Sequence, residues 1–315
     1  MFSAALLGIT AHQTVAQDYP TRGIRFVVPF PVGAGTDILA RGVAQKLNEA
    51  WSVPVVVDNR AGAGGTIGSD LVAKAPKDGY TMLMGNASSL AIARSLYKNL
   101  SYDPLKDFAN VILVANSENI VVVHPSLPVR TIKDLVAMAK ARPGQIFFSS
   151  AGSGTTGHLG GELLRATAAV EIVHVPYKGS PPSMNDLVAG QVQMSVTSIA
   201  GAIPFVRSNR LRPVATTGLI RNPVLPGVPT VAETYPGFEV NAWQGIVVPA
   251  GTPANVIARM NGQIGKILQG QDIRDQFAAQ GLLAAGGTPE QFTAYHRKET
   301  EKWAEVVRRS GARPD

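Results

Sequence analysis

Three glycine-rich turns constrain this chain more than any other feature. They read Pro31-Val-Gly-Ala-Gly-Thr-Asp37, Ala61-Gly-Ala-Gly-Gly-Thr-Ile-Gly68 and Ala151-Gly-Ser-Gly-Thr-Thr-Gly157. Each closes a short apolar run and opens a helical stretch, the repeating unit of α/β folds with mainly parallel sheets. The spacing predicts strands at Ile24–Pro29, Val53–Asp58 and Tyr80–Met84, with helices over Asp37–Ala50, Thr66–Ala75 and Leu90–Leu96. The order then changes. Asn110–Ala115 and Asn119–His124 read as two strands separated by a polar turn, where the chain leaves one lobe for another.

A second α/β series follows, with helices at Thr131–Ala141, His158–Ala168, Ser183–Ala189 and Ile199–Ser208. Its strands fall at Gln145–Ser150, Glu171–Pro176, Val192–Val196 and Leu211–Thr216. Val240–Val248 reads as the strand returning to the first lobe. The tail reads as helical almost throughout, over Ala254–Leu268, Ile273–Gln280 and Pro289–Arg308. The expected fold is α/β, with two domains joined by a two-stranded hinge near 115–124 and 236–246. Residues 18–119 plus 245–315 form one domain and 120–244 the other. Ligands of open α/β sheets bind at the carboxyl ends of the strands, which here line the cleft between the domains.

Composition narrows the chemistry. A length of 315 residues suits two domains. The absence of cysteine excludes disulfides, thiolate metal sites and a cysteine nucleophile. The net charge of +7 comes from Lys and Arg spread singly, and aromatic residues are only 6%, so no nucleic-acid stripe is expected. The five histidines show no metal-ligand spacing, and neither a metal nor a cofactor is called for. Met1–Gln17 carries no charged side chain and reads as the apolar part of a secretory signal, cleaved near residue 17.

The glycine turns offer main-chain N–H groups at helix starts, where the macrodipole favours an anion. Pro29–Thr36 and Ser149–Gly157 contain no ionisable side chain, so such an anion is held by neutral donors, with Ser153, Thr155 and Thr156 adding hydroxyls. Asp37 is either a cap that shapes its turn or a contact for a protonated ligand. Two enzyme readings stand beside this one. Gly152, Gly154 and Gly157 match a dinucleotide fingerprint, with Glu171 roughly at the acidic position. Ser153 and His158 could form a hydrolytic pair, although Ala151 breaks the nucleophile-elbow pattern. Nucleotide absorbance or ester turnover would reveal either enzyme, and a solute-sensing domain is a third possibility.

The longer motifs carry a resemblance. Tyr19-Pro-Thr-Arg22, Ile24-Arg-Phe-Val-Val-Pro-Phe-Pro-Val-Gly-Ala-Gly-Thr-Asp37, Val57-Asp-Asn-Arg-Ala-Gly-Ala-Gly-Gly-Thr-Ile-Gly68 and Pro76-Lys-Asp-Gly-Tyr-Thr81 are joined by Ser150-Ala-Gly-Ser-Gly-Thr-Thr-Gly-His-Leu159. Val175-Pro-Tyr-Lys-Gly179, Gly227-Val-Pro-Thr230 and Trp243-Gln-Gly245 complete the set. Together they resemble the solute-binding proteins of tripartite tricarboxylate transporters, the Bug receptors, over nearly the whole chain from Tyr19. The resemblance implies a type II-like periplasmic binding protein, monomeric and without catalysis. It would close on a small organic carboxylate and deliver it to the transporter's membrane permease. It also implies a site drawn from Val32, Gly33, Ala34, Gly35, Thr36 and Asp37, from Asn86, Ala87, Ser88 and Ser89, and from Ser153, Gly154, Thr155 and Thr156. His158, Tyr177, Thr197 and Trp243 complete the candidates. One departure matters: Val196-Thr197 stands where many members have Phe-Asp, which favours a dicarboxylate or aromatic carboxylate over an amino acid.

Overall fold

The computed structural model describes residues 19–314, so the leader at 1–17 lies outside the described residues. The first lobe opens with β1 (Ile24–Val28), α1 (Gly35–Trp51), β2 (Val55–Asn59), α2 (Thr66–Ala73) and β3 (Thr81–Asn86). A π-helical turn at Ser88–Ile92 runs into α3 (Ala93–Leu96), and β4 (Phe108–Val123) follows. The second series comprises α4 (Ile132–Ala141), β5 (Ile146–Ser150), α5 (Thr156–Ala168), β6 (Ile172–Pro176), α6 (Ser180–Val188), β7 (Met194–Ser198), α7 (Ile199–Arg207) and β8 (Arg212–Thr216). The chain returns through β9 (Asn241–Pro249) and ends with α8 (Ala254–Gln269), α9 (Gln271–Ala278), β10 (Leu282–Gly286) and α10 (Pro289–Ser310).

Strand order is β2-β1-β3-β9-β4-β7-β5-β6, with β10 and β8 also pairing β4. The first half of β4 lies antiparallel to β9 and β10, and its second half, from Asn119, lies antiparallel to β7 and β8. One strand therefore serves both sheets. At about 3.3 Å per residue it runs roughly 50 Å and is the spine of the molecule.

Two expectations are corrected here. The polar turn expected between Ala115 and Asn119 does not form: Asn116, Ser117 and Glu118 continue the ladder opposite Trp243, Ala242 and Asn241. Backbone pairing with a strand that lies more than a hundred residues further along the chain overrides the local polarity. The tail likewise contains a strand, β10, whose Leu282 and Leu283 pair with Ser117 and Asn116. Its small residues and lack of β-branching concealed it.

Helix α10 packs the first lobe. Phe292, Trp303 and Val306 join a buried cluster with Trp243, Val247 and, from the second lobe, Phe148 and Leu159. Trp243 and Trp303 both donate their indole N–H to Oε2 of Glu299, each at 3.1 Å. Burial pushes the Glu299 carboxyl above its ordinary pKa, against the opposing pull of Lys302 and the two indoles.

Candidate functional site

Five helical starts converge on one cleft between the lobes. Gly35 and Thr36 open α1, and Asn86, Ala87 and Ser88 lead into the π-helical turn. Thr155, Thr156 and Gly157 open α5, Ser180 opens α6 and Ser198 caps α7. The first N–H groups of a helix have no acceptor within it, so these starts bring a set of donors to one space. Phe30, Val196 and Leu282 supply apolar wall, while Asn119, Ala242 and Gln244 come from the strands that cross between the lobes. The space is about 580 Å³ including its opening to solvent. None of the residues lining it carries a titratable side chain.

The second-lobe turn is built with little slack. The Thr155 hydroxyl donates to Gly152 O at 2.7 Å and accepts from His158 N at 3.3 Å. It therefore caps α5 and is committed, which corrects its expected role as a ligand donor. Thr156 keeps a long contact, Oγ1 to Asn119 Oδ1 at 3.4 Å. Gly157 admits no side chain, because a Cβ there would run into the Val196 carbonyl. This close approach seats α5 directly on β7.

Asp37 resolves in favour of the cap. Its carboxylate, 2% exposed, accepts from Gly33 N at 2.9 Å, Asn59 Nδ2 at 2.9 Å and Arg41 Nε at 3.0 Å. Burial pushes its pKa up, but the Arg41, Gly33 and Asn59 hydrogen bonds outweigh that and hold it below the ordinary value of 3.8. Asp37→Ala strands a main-chain N–H and an amide, and should cost about 2–4 kcal/mol in urea unfolding. Because the native pKa is depressed, this contribution is full above pH 3.8 and is lost as pH falls through the lower native value. The stability gap between wild type and variant should therefore close in acid.

Other candidates lie elsewhere. Val32 is 63% exposed on the outer rim, and Gly33 spends its N–H on Asp37. Ser89 is buried behind the cleft, its carbonyl accepting from Tyr102. Ser153 and Tyr177 line a neighbouring groove with Gly62–Gly65 and Lys178, and the Tyr177 hydroxyl donates to Asp186 at 2.7 Å. Gly154 donates its N–H to Nδ1 of His158, whose ring stacks on His174 at 4.1 Å. His158 thus braces the turn from inside. Trp243 is fully buried against α10 and does not reach the cleft. What remains together is Ala34, Gly35, Thr36, Asn86, Ala87, Ser88, Thr155, Thr156 and Thr197. Sequence reading missed Asn119 and Gln244. Gln244 is a polar residue beside the apolar run that ends β9, whereas Asn119 was hidden at the end of the polar triplet Asn116–Glu118.

The lobes also touch. Tyr97 of the first donates its hydroxyl to Ser153 O of the second at 3.1 Å, and Gly179 lies against Pro31. Two α/β lobes, joined by crossing strands around a donor-lined cleft, define a binding protein. The family model of the tripartite tricarboxylate transporter family receptor, TctC, matches residues 39–312. The chain is 42% identical over 306 residues to the UPF0065 protein in the tcbD-tcbE intergenic region of Pseudomonas sp. strain P51, covering 96% of this chain and 91% of that one. Among solved structures, R. palustris Rpa4515 with adipate matches with a TM-score of 0.92 at 36% identity, over 95% of this chain and 100% of that one. The periplasmic binding protein BugD matches with a TM-score of 0.90 at 33% identity, over 94% and 100%. The chain belongs to the tripartite tricarboxylate transporter receptor family, as a solute receptor of the Bug type and not an enzyme.

Proposed function

We propose that this receptor captures a small organic dicarboxylate in the periplasm and hands it to a membrane permease, acting as a monomer after its leader is removed near residue 17. The observation that carries this reading is the convergence of helix starts on a cleft with no ionised side chain. Each hydrogen bond to a charged group contributes about 1.5–3 kcal/mol, so four or five gross roughly 6–15. Micromolar affinity needs about 8 kcal/mol net, so the donors suffice only toward the upper end of that range, with little margin once ordering costs enter. Starts in both lobes suit a ligand with an anion at each end, and the adipate held by the R. palustris relative is such a ligand. An ammonium group would find no counter-charge in the lining. The proposed lobes divide at 119/120 and near 244/245; β4 changes its pairing partners one residue before the first of these, between Glu118 and Asn119.

A melting-temperature screen against linear dicarboxylates, aromatic carboxylates and amino acids tests this. A diacid at 100 times its dissociation constant should add about 2.7 kcal/mol of stability, with amino acids of similar size adding far less. Stabilisation by amino acids and by no diacid would refute the reading.

A further inference from the structure

The cleft floor carries two amides whose hydrogen bonding is half complete. Asn119, 1% exposed, accepts at Oδ1 from Thr156, while its Nδ2 has no acceptor. Gln244, 5% exposed, donates from Nε2 to Ser117 Oγ at 3.2 Å, while its Oε1 has no donor. Both residues line the cleft, and both lie on the strands that cross between the lobes. Thr197, 2% exposed, lines the same space, and its hydroxyl is also unpartnered. Buried polar groups are nearly always paired in folded proteins, so unpaired ones in a binding cleft describe what the ligand brings.

The unpaired set contains a donor, an acceptor and a hydroxyl able to play either part. A carboxylate only accepts, so it satisfies Asn119 Nδ2 and leaves Gln244 Oε1 facing another oxygen. A methylene chain satisfies neither amide. A hydroxyl group donates and accepts at once, which is the complement this floor lacks.

We propose that Asn119 and Gln244 read a hydroxyl group on the carbon chain between the two carboxylates, so that the preferred ligands are hydroxylated diacids. This rests on the dicarboxylate-receptor reading and specifies the middle of the ligand where that reading specifies its ends. The helix starts set the charge that is accepted, and the two amides choose among diacids of equal length.

The test is calorimetry with matched pairs: succinate against malate, glutarate against hydroxyglutarate, and adipate against hydroxyadipate. In the wild type, the hydroxylated member of the best-fitting pair should bind at least tenfold more tightly, because the plain diacid leaves buried amide groups unpaired. In Gln244→Met, which keeps the side chain's length and removes its polar atoms, the preference for the hydroxylated member over its plain partner should shrink to about twofold, whatever the absolute affinities become. If plain diacids bind as tightly as their hydroxylated partners in the wild type, the hydroxyl assignment is overturned and the receptor reading stands. If the preference survives intact in Gln244→Met, Gln244 is not its source and the assignment falls. If no diacid of either kind binds, the receptor reading fails and takes this inference with it.

Discussion

Replacing Thr197 with aspartate should weaken diacid binding at least a hundredfold. Thr197 is 2% exposed in a cleft whose lining holds no ionised side chain, so a new carboxylate there finds no neighbouring cation to offset it. At about 5 Å and an effective dielectric near 20, two like charges repel by about 3 kcal/mol. That corresponds to roughly two orders of magnitude in affinity. Thr197→Asn, similar in size but neutral, should stay within about tenfold of wild type and separates charge from shape. Amino acids should gain on diacids in the aspartate variant, since an ammonium group acquires a partner. Unchanged diacid affinity in a folded Thr197→Asp protein would show that this position does not face the ligand.

Gly64→Ala should cost nearly as much by a different route. Gly64 has φ of +62° and lies on the first-lobe rim, where a Cβ would stand 2.5 Å from the Ser153 carbonyl of the second lobe. That carbonyl is also the acceptor for Tyr97, so the clash falls on the contact by which the lobes meet. The left-handed backbone itself costs an alanine about 1–2 kcal/mol, and the steric conflict adds to this only when the lobes come together. We expect a modest loss of stability without ligand and a fall in diacid affinity of roughly thirtyfold or more. Small-angle scattering should show the wild type contracting on saturation with a diacid, by hinge movement about the crossing strands, and the variant contracting less. Equal contraction in both proteins would remove Gly64 from the closing contact.

The two-lobed α/β plan was legible because its signals are local. Strand, glycine turn and helix recur within about 30 residues of each other, and a β-branched run beside a turn such as Gly152–Gly157 needs no distant information. Where the sequence misled, distant pairing decided. The polar triplet Asn116–Glu118 looks like a turn until β9 and β10 are laid beside it. The site was legible as turns and less so as atoms. Glycine patterns located the starts of α1 and α5, but only three dimensions show that the Thr155 hydroxyl is spent on capping and that the Asp37 carboxylate faces into its own turn. Trp243 illustrates the limit well: its motif marks the family, yet its ring is a structural post beneath α10. Gln244 was readable as an anomaly beside the apolar run of β9, while Asn119 was hidden behind the polar triplet that looked like a turn.

The shared spine has a consequence for how the chain reaches its final form. The sheet of the first lobe needs β9 and β10, which come after all the strands private to the second lobe. A growing chain that has reached β8 holds every strand of the second sheet, while β4 still lacks both of its first-lobe neighbours. Closing those pairings means joining segments more than 100 residues apart, and such long-range contacts form slowly. The amino-terminal lobe is thus the last to be finished, although it is the first to be synthesised. Until the final 75 residues arrive, the edges of its sheet stay unpaired and its core stays open.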